Sequence, residues 1–528
     1  MSSSESEDEV DRRHRDNYDN NHKGDRDNQD QDHHEIEPPD DDTIRIIVST
    51  DNHLGYCERD AVRGYDSFCA LEEVLYLARH YQADLVLLAG DLFHDNKPSR
   101  RTLYKTMQLF RKYCMGPNPI QIQVRNPPNL YAPLSVSSPL DDLRAATAAG
   151  TTATNTSSTM FRTAGHANYE SPYYSVDLPI FAIHGNHDDP TRDGVGGTEL
   201  LAALDLLEVA NLVNYMGRQD QVNQIQVEPV LIQKGTTKLA LYGMGSLRDE
   251  RLNRMWQGNK VKFLRTVEND DKNYDHDDEG EKDEGGWFNV FALHQNRDLG
   301  RGTKNCIHES MIPEWMDLIV WGHEHECNIE PQESVVGTFR ITQPGSSVAT
   351  SLTAGEAQRK HIGILDIRGS NFRLLPIPLT QVRSFVMGEL HLADQPRLDP
   401  DDPKVDQKIQ KLLEDQVRVL IHNARENTKE TFEAAYKAGN VLAKHYLDNQ
   451  HGDKDPCPLL NSLQRRDEVL VRIKVEHSGF STVNNQRFGA KFVGQVANPV
   501  RYVWVLKIRN MNHWYKIDVF MCIFVGSL

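Results

Sequence analysis

Five short groups in this chain carry residues able to do chemistry: Asp51-Asn52-His53, Gly90-Asp91, Gly185-Asn186-His187-Asp188, His294, and Gly322-His323-Glu324-His325. Each follows at once on an apolar run, at the point where a buried strand meets solvent and sheet enzymes place their reacting groups. Taken singly each has an ordinary reading: a turn for Asn-His-Asp after a glycine, a satisfied buried histidine for His294, an approach to a helix for His94, solvated carboxylates for Glu324 and Glu326. Their joint occurrence in chain order argues against coincidence. Carboxylate, amide and imidazole without thiolate suit a borderline-hard divalent ion such as manganese better than sulfur-rich structural zinc. Asp51, His53, Asp91, Asn186, His294, His323 and His325 are too many ligands for one ion. They are about right for two ions sharing a carboxylate, an arrangement that displaces groups at phosphorus. Asp-x-His and His-x-His put both side chains on one side of an extended segment. His187, beside a ligand but not needed as one, is left to donate a proton, with Asp188 expected to orient it.

The elements that must position these groups alternate. Ile44–Thr50 and Asp84–Ala89 read as buried strands, Phe68–His80 as a helix with apolar residues at helical spacing, and Ser99 as the cap of a helix reaching Tyr113. Phe181–Ile183, Trp287–Leu293 and Asp317–Trp321 are further strands that deliver ligands, and Pro229–Gln233 and Lys238–Tyr242 are two more. Leu200–Leu207 reads as a helix. Strand and helix in alternation imply an α/β layered fold with the site along one sheet edge. From about residue 345 short alternating segments (His361–Ile367, Phe372–Ile377, Glu468–Val475) flank a charged helical region at 404–447, read as a smaller second domain.

The formal charge of −18 is misleading until it is located. Residues 1–42 hold 16 acidic against 5 basic residues, and residues 268–284 hold 10 against 2, so the rest of the chain is nearly neutral. A basic surface for a polyanion therefore remains open. The tail at 1–42 is expected to be disordered, 127–165 to be a flexible Ser/Thr/Ala-rich insertion, and 268–284 an acidic loop. Seven scattered cysteines without a C-x-x-C pair fit a reducing compartment. Neither a secretory leader nor a membrane span is read.

With these residues in hand the chain resembles the calcineurin-like metallophosphoesterases, whose blocks match the five groups above. Thr50–Gly55, Gly90-Asp91-Leu92-Phe93-His94-Asp95-Asn96-Lys97-Pro98-Ser99, Ile183–Pro190 and Gln343-Pro344-Gly345-Ser346-Ser347 are similar to the eukaryotic meiotic-recombination-eleven nucleases in particular, from about Ile44 to Pro499 except for the insertion at 127–165. The resemblance implies a metallophosphoesterase β-sandwich flanked by helices at 43–344 and a smaller α+β DNA-capping domain at 345–499. It implies two Mn2+, one held by Asp51, His53, Asp91 and His325, the other by Asp91, Asn186, His294 and His323. His187 and His94 match the family's catalytic histidines.

The implied activity is 3′-to-5′ exonuclease action on duplex DNA and endonuclease action on single strands, in a nuclear double-strand-break repair complex serving end resection, homologous recombination, telomere maintenance and meiosis. Implied partners are a second copy of the chain, held through the helices at 68–80 and 99–113, an SMC-like ABC-type ATPase, and nibrin. Residues 500–528 depart from the family pattern as an atypical apolar terminus, which predicts weak ATPase contact. Two alternatives compete: a phosphatase on the same scaffold, against which Phe93–Asn96 stands where protein phosphatases carry Asp-Arg-Gly, and a catalytically silent scaffold, against which every ligand position is kept.

Overall fold

The computed structural model describes residues 36–125, 166–192, 200–219, 224–265, 286–298, 305–450, 467–477, 479–481, 483–499 and 503–506. The insertion at 127–165, the acidic loop at 268–284, nearly all of the acidic tail and most of 500–528 lie outside the described residues. By compactness the chain forms two units, 1–385 with 425–467, and 386–424 with 468–528.

The first unit is built from two facing sheets. Strands β1 (Ile44–Ser49), β2 (Leu85–Ala89) and β4 (Ile180–Ile183) run parallel and are joined by β5 (Asn214–Tyr215) at one edge. At the other edge lie β12 (His361–Arg368) and β13 (Asn371–Pro378). The second sheet holds, in spatial order, β10 (Asn328–Glu333), β11 (Arg340–Gln343), β9 (Leu318–Gly322), β8 (Phe288–His294), β7 (Thr237–Met244), β6 (Pro229–Lys234) and β3 (Gln123–Val124).

Period-two alternation assigns each strand's faces. Ile44, Ile46, Val48, Leu85, Leu87, Phe181 and Ile183 meet Leu239, Leu241, Val290, Ala292 and Val320 between the sheets. The intervening Ile47, Val86, Leu88 and Ala182 pack outward against α1 (Asp66–His80) and α2 (Arg100–Cys114). Strands covered on both faces read as unbroken apolar runs, which is why they stand out in the sequence. Ser99 caps α2 as expected, its Oγ accepting from the Thr102 N–H at 3.1 Å.

Three expectations are revised. Leu200-Leu201 form a short strand paired with Thr191-Arg192, and the helix there starts later, at Ala203–Val209. The Asp205 carboxylate accepts from the Ala202 N–H at 2.6 Å and fixes that start. His361–Arg368 pairs antiparallel with β1, Ile44 opposite Ile367, so the first unit's sheet continues well past residue 345. The charged helical region is broken into Val405–Lys437 and Val441–Gln450. Gly439, at φ 86°, makes the break, and Asn440 Oδ1 caps the next turn at the Leu442 N–H, 2.9 Å away.

Glu73 on α1 is fully buried, and its carboxylate accepts from the backbone N–H groups of Thr380 and Gln381 and from Asn440 Nδ2 at 2.7–3.1 Å. Glu73→Ala strands those two buried N–H groups. It is expected to lower stability by about 3 kcal/mol, measured as a shifted denaturation midpoint.

In the second unit the N-terminal part of the long helix presents Ile409, Leu413, Val417, Leu420 and Ala424 to a core with Val471, Ile473, Phe488 and Phe492. Its three-stranded sheet orders Phe385–His391, Leu470–Glu476 and Val503–Leu506. The last strand lies past Pro499 and pairs parallel with Leu470–Glu476.

Candidate metal centre

The carboxyl ends of β1, β2, β4, β8 and β9 converge, and they bring the predicted ligands together. Asp51, His53, Asp91 and His294 are all buried to 1% exposure or less. His294 Nε2 lies 3.3 Å from Asp91 Oδ2 and 3.9 Å from Asp51 Oδ1. His325 Nε2 lies 3.4 Å from Asp51 Oδ1 and 3.1 Å from His53 Nε2. His53 Nε2 is 3.8 Å from Asp91 Oδ2. Asn186 Oδ1 and His323 Nδ1 meet at 2.8 Å.

The backbone is bent to achieve this. Asp51, His53, Asp91 and His323 have φ of 51°, 47°, 49° and 82°, a left-handed conformation costing non-glycine residues about 1–2 kcal/mol each. Close approach requires glycine nearby: a Cβ at Gly185 would sit 2.0 Å from Asp91 Oδ1, and one at Gly90 2.1 Å from His294 Nδ1. The conformation is held by hydrogen bonds: Asp51 N–H to Gly90 O, His53 N–H to Asp91 O, and His323 N–H to Asp51 Oδ2.

The residues fit a divalent cation. Asp51 Oδ1, Asp91 Oδ2 and His294 Nε2 are buried without a hydrogen-bond partner among the described residues, a costly arrangement unless a cation sits between them. Ligand atoms of Asp51, His53 and His325, and of Asp51, Asp91 and His294, lie within 4.8 Å of one another. The charges agree. Burial would raise Asp51 and Asp91, yet the neighbouring imidazoles hold Asp51 well below the usual carboxylate range and Asp91 down to about 2. Burial would lower His294, but Asp91 and Asp51 push it up to about 9. The remaining ring nitrogens are fixed: His294 Nδ1 faces Ala89 O at 2.9 Å, and His323 Nε2 faces Asn296 Oδ1 at 2.8 Å.

His187 and His94 stand at the rim as stacked rings, centroids 5.0 Å apart. His187 Nδ1 donates to the His94 carbonyl at 2.7 Å, a bond that commits one ring nitrogen and does not involve Nε2. Asp188 does not orient His187. It is fully buried and accepts instead from the N–H groups of Gly185 at 2.6 Å and Phe93 at 3.1 Å, tying the β2 and β4 loops together. Burial and the nearby Asp91 push its carboxyl up to about 7. Glu324, read as solvated, is buried and accepts from the Arg297 N–H at 3.2 Å.

Residues outside the candidate ligand set complete the setting. The Thr50 hydroxyl lies 2.6 Å from Asp51 Oδ2, Glu356 Oε1 lies 3.0 Å from His325 Nδ1, and Ser347 Oγ accepts from Asn52 at 3.2 Å. Thr50 and Ser347 carry a sequence signal, in the Thr50–Gly55 and Gln343–Ser347 motifs, whereas Glu356 carries none. A cavity of about 230 Å³ lined by Asn186, Arg248, Asn296 and His323 adjoins the cluster.

Two sheets in a sandwich, with carboxylates and imidazoles delivered from their strand ends, define a phosphoesterase of the calcineurin-like class, and the family model of that description matches residues 44–124 and 161–327. A second family model, a presumed MRE11 DNA-binding domain, matches residues 372–515, carrying the similarity past Pro499. The double-strand break repair protein MRE11 of Oryza sativa subsp. indica is 41% identical over 462 residues, 87% of this chain and 54% of that protein. Its namesake in Homo sapiens is 40% identical over 475 residues, 90% and 56%, and that in Arabidopsis thaliana 41% over 467 residues, 87% and 53%. The chain belongs to the family of these MRE11 proteins. It spans about half the length of the relatives it matches. Among the described residues no helix is long and apolar enough to cross a membrane.

Proposed function

We propose that this protein is a metal-dependent DNA nuclease of a double-strand-break repair complex. What supports the reading most is the set of buried, unpartnered ligand atoms of Asp51, Asp91 and His294 at a sheet edge that opens to solvent through Asn186 and His187. One ion would be held by Asp51, His53, Asp91 and His325, the other by Asp91, Asn186, His294 and His323, with Asp91 shared. Divalent ions there would supply hydroxide near neutral pH and offset charge on the phosphodiester oxygens. The chain's own residues do the rest. His187 Nε2 delivers the proton to the leaving oxygen, the His94 carbonyl holds the ring for it, and Arg248 in the adjoining cavity attracts the phosphate backbone. Manganese is the ion we favour, because the donor set is oxygen and imidazole.

The finer reading follows the family: 3′-to-5′ exonuclease action on duplexes, endonuclease action on single strands, and a nuclear role in recombination and telomere maintenance. The residues matched as a DNA-binding domain would grip DNA through phosphates, since a repair nuclease must act on any sequence. A second copy would dock on α1 and α2, where Tyr65 and Tyr104 are 46% and 60% exposed. An SMC-like ABC-type ATPase and nibrin are the proposed further partners.

The test is cleavage of an end-labelled duplex with a recessed 3′ end in manganese, magnesium or EDTA. Shortening from the 3′ end in manganese, abolished by EDTA, is the expected result. Metal bound without cleavage of duplex, hairpin or single strand would favour the scaffold, and phosphate released from a phosphoprotein without DNA cleavage would favour the phosphatase.

A further inference from the structure

Glu356 is a buried carboxylate that no motif announces. It lies in a single 3-10 turn, Gly355–Ala357, and is 3% exposed. Apart from His325, its surroundings offer it donors: the Ser351 N–H at 2.8 Å from Oε1, the Thr350 N–H at 3.0 Å from Oε2, the Thr350 hydroxyl at 3.2 Å, the Ser346 hydroxyl at 3.3 Å and Lys360 Nζ at 3.5 Å. Lys360 is itself 4% exposed and is shared with Ser346 Oγ at 2.9 Å. A carboxylate ringed by two amides and an ammonium is an ionised acceptor. The ring nitrogen facing it, His325 Nδ1 at 3.0 Å from Oε1, must then be the donor. A neutral imidazole carries one N–H, so His325 Nε2 is left with its lone pair, and it points to Asp51 Oδ1 and His53 Nε2.

We infer that Glu356, charge-balanced by Lys360, is the positioning residue of His325, selecting the tautomer and ring orientation that turn Nε2 toward the ion held by Asp51 and His53. The inference rests on reading the strand-end cluster as a metal centre. It assigns a division of labour: Ala89 O and Asn296 set the ring nitrogens of His294 and His323, whereas His325 alone among these three is set by a full charge. The ion at Asp51, His53 and His325 is therefore the one whose affinity depends on Glu356. The same carboxylate pins Thr350, whose carbonyl accepts from the Tyr56 hydroxyl at 2.5 Å, and Tyr56 packs on His94 at 4.8 Å between ring centroids.

The experiment titrates manganese into wild type, Glu356→Gln, Lys360→Met and, as a control buried carboxylate remote from the cluster, Glu73→Gln. Calorimetry reads binding, circular dichroism reads folding, and cleavage is followed against manganese concentration. Glu356→Gln is expected to weaken one of the two binding steps about 10–100-fold, with cleavage recovering at high manganese and KM for DNA unchanged. Lys360→Met should weaken the same step less, and Glu73→Gln should leave both steps alone while lowering the unfolding temperature. Folded Glu356→Gln with both steps at wild-type affinity overturns the inference, as does an equal effect from Glu73→Gln. Should the variants fail to fold, imidazole nitrogen-15 spectra of wild type with zinc, assigned against His325→Asn, decide the question: Nδ1 protonated supports the inference, Nε2 protonated overturns it. Wild type that binds no divalent ion sinks the metal-centre reading itself.

Discussion

Asp91→Ala is expected to abolish both cleavage and the stabilisation that divalent ions confer, while leaving the metal-free protein folded. Asp91 is the residue whose two oxygens do different work. Oδ1 accepts from the His187 N–H at 2.8 Å and holds the β4 loop, while Oδ2, buried and unpartnered, lies 3.3 Å from His294 Nε2. Asp51 likewise keeps one unpartnered oxygen, Oδ1, among the described residues, near His325 and His294, while its Oδ2 is engaged by the Thr50 hydroxyl and the His323 N–H. Wild type at a manganese concentration 100-fold above its dissociation constant should gain about 2.7 kcal/mol, seen as a rise in unfolding temperature over EDTA. The variant should gain none. A manganese-dependent rise that survives in Asp91→Ala would place the ions elsewhere.

Much of the sandwich can be read from the chain because β1, β2, β4, β8 and β9 are covered on both faces, which leaves each as an apolar run with a polar break at its end. Where burial is one-sided, local pattern misleads. Leu200 and Leu201 continue an apolar stretch at helical spacing, yet pairing with Thr191-Arg192 and the Asp205 cap delay the helix. The alternation in β12 is equally consistent with a second domain or with the edge of the first sheet, and only its pairing to β1 across more than 300 residues decides.

The candidate ligands are legible for the same reason as the strands, since their turns are local. Residues that act on the ligands from a distance are not. Glu356 reaches His325 from 31 positions away, through a turn whose sequence carries no periodicity. Asp188 shows the converse error. Adjacency to His187 suggests a pair, but successive residues in a tight turn diverge, so one side chain faces the rim and the other is driven inward onto Gly185 and Phe93. A carboxylate in that place stiffens the site without touching the reacting atoms.

His187→Asn is the complementary experiment, expected to lower the rate of cleavage by about 10²–10⁴-fold, the usual range for a lost general acid, with manganese binding and folding unchanged. The expectation has a rival in the geometry, because ring nitrogens of His53, His94 and His187 also lie within 4.8 Å of one another and form a group able to hold a metal. Two features favour the proton-transfer role. His187 Nδ1 is committed to the His94 carbonyl at 2.7 Å, and the trio contains no carboxylate to offset a divalent charge. Asparagine keeps the backbone N–H that Asp91 needs while removing the imidazole. A loss confined to turnover, at manganese affinity equal to wild type, assigns His187 to the leaving oxygen. A parallel loss of one manganese would instead make it a ligand, and the proton would have to come from His94 or from solvent.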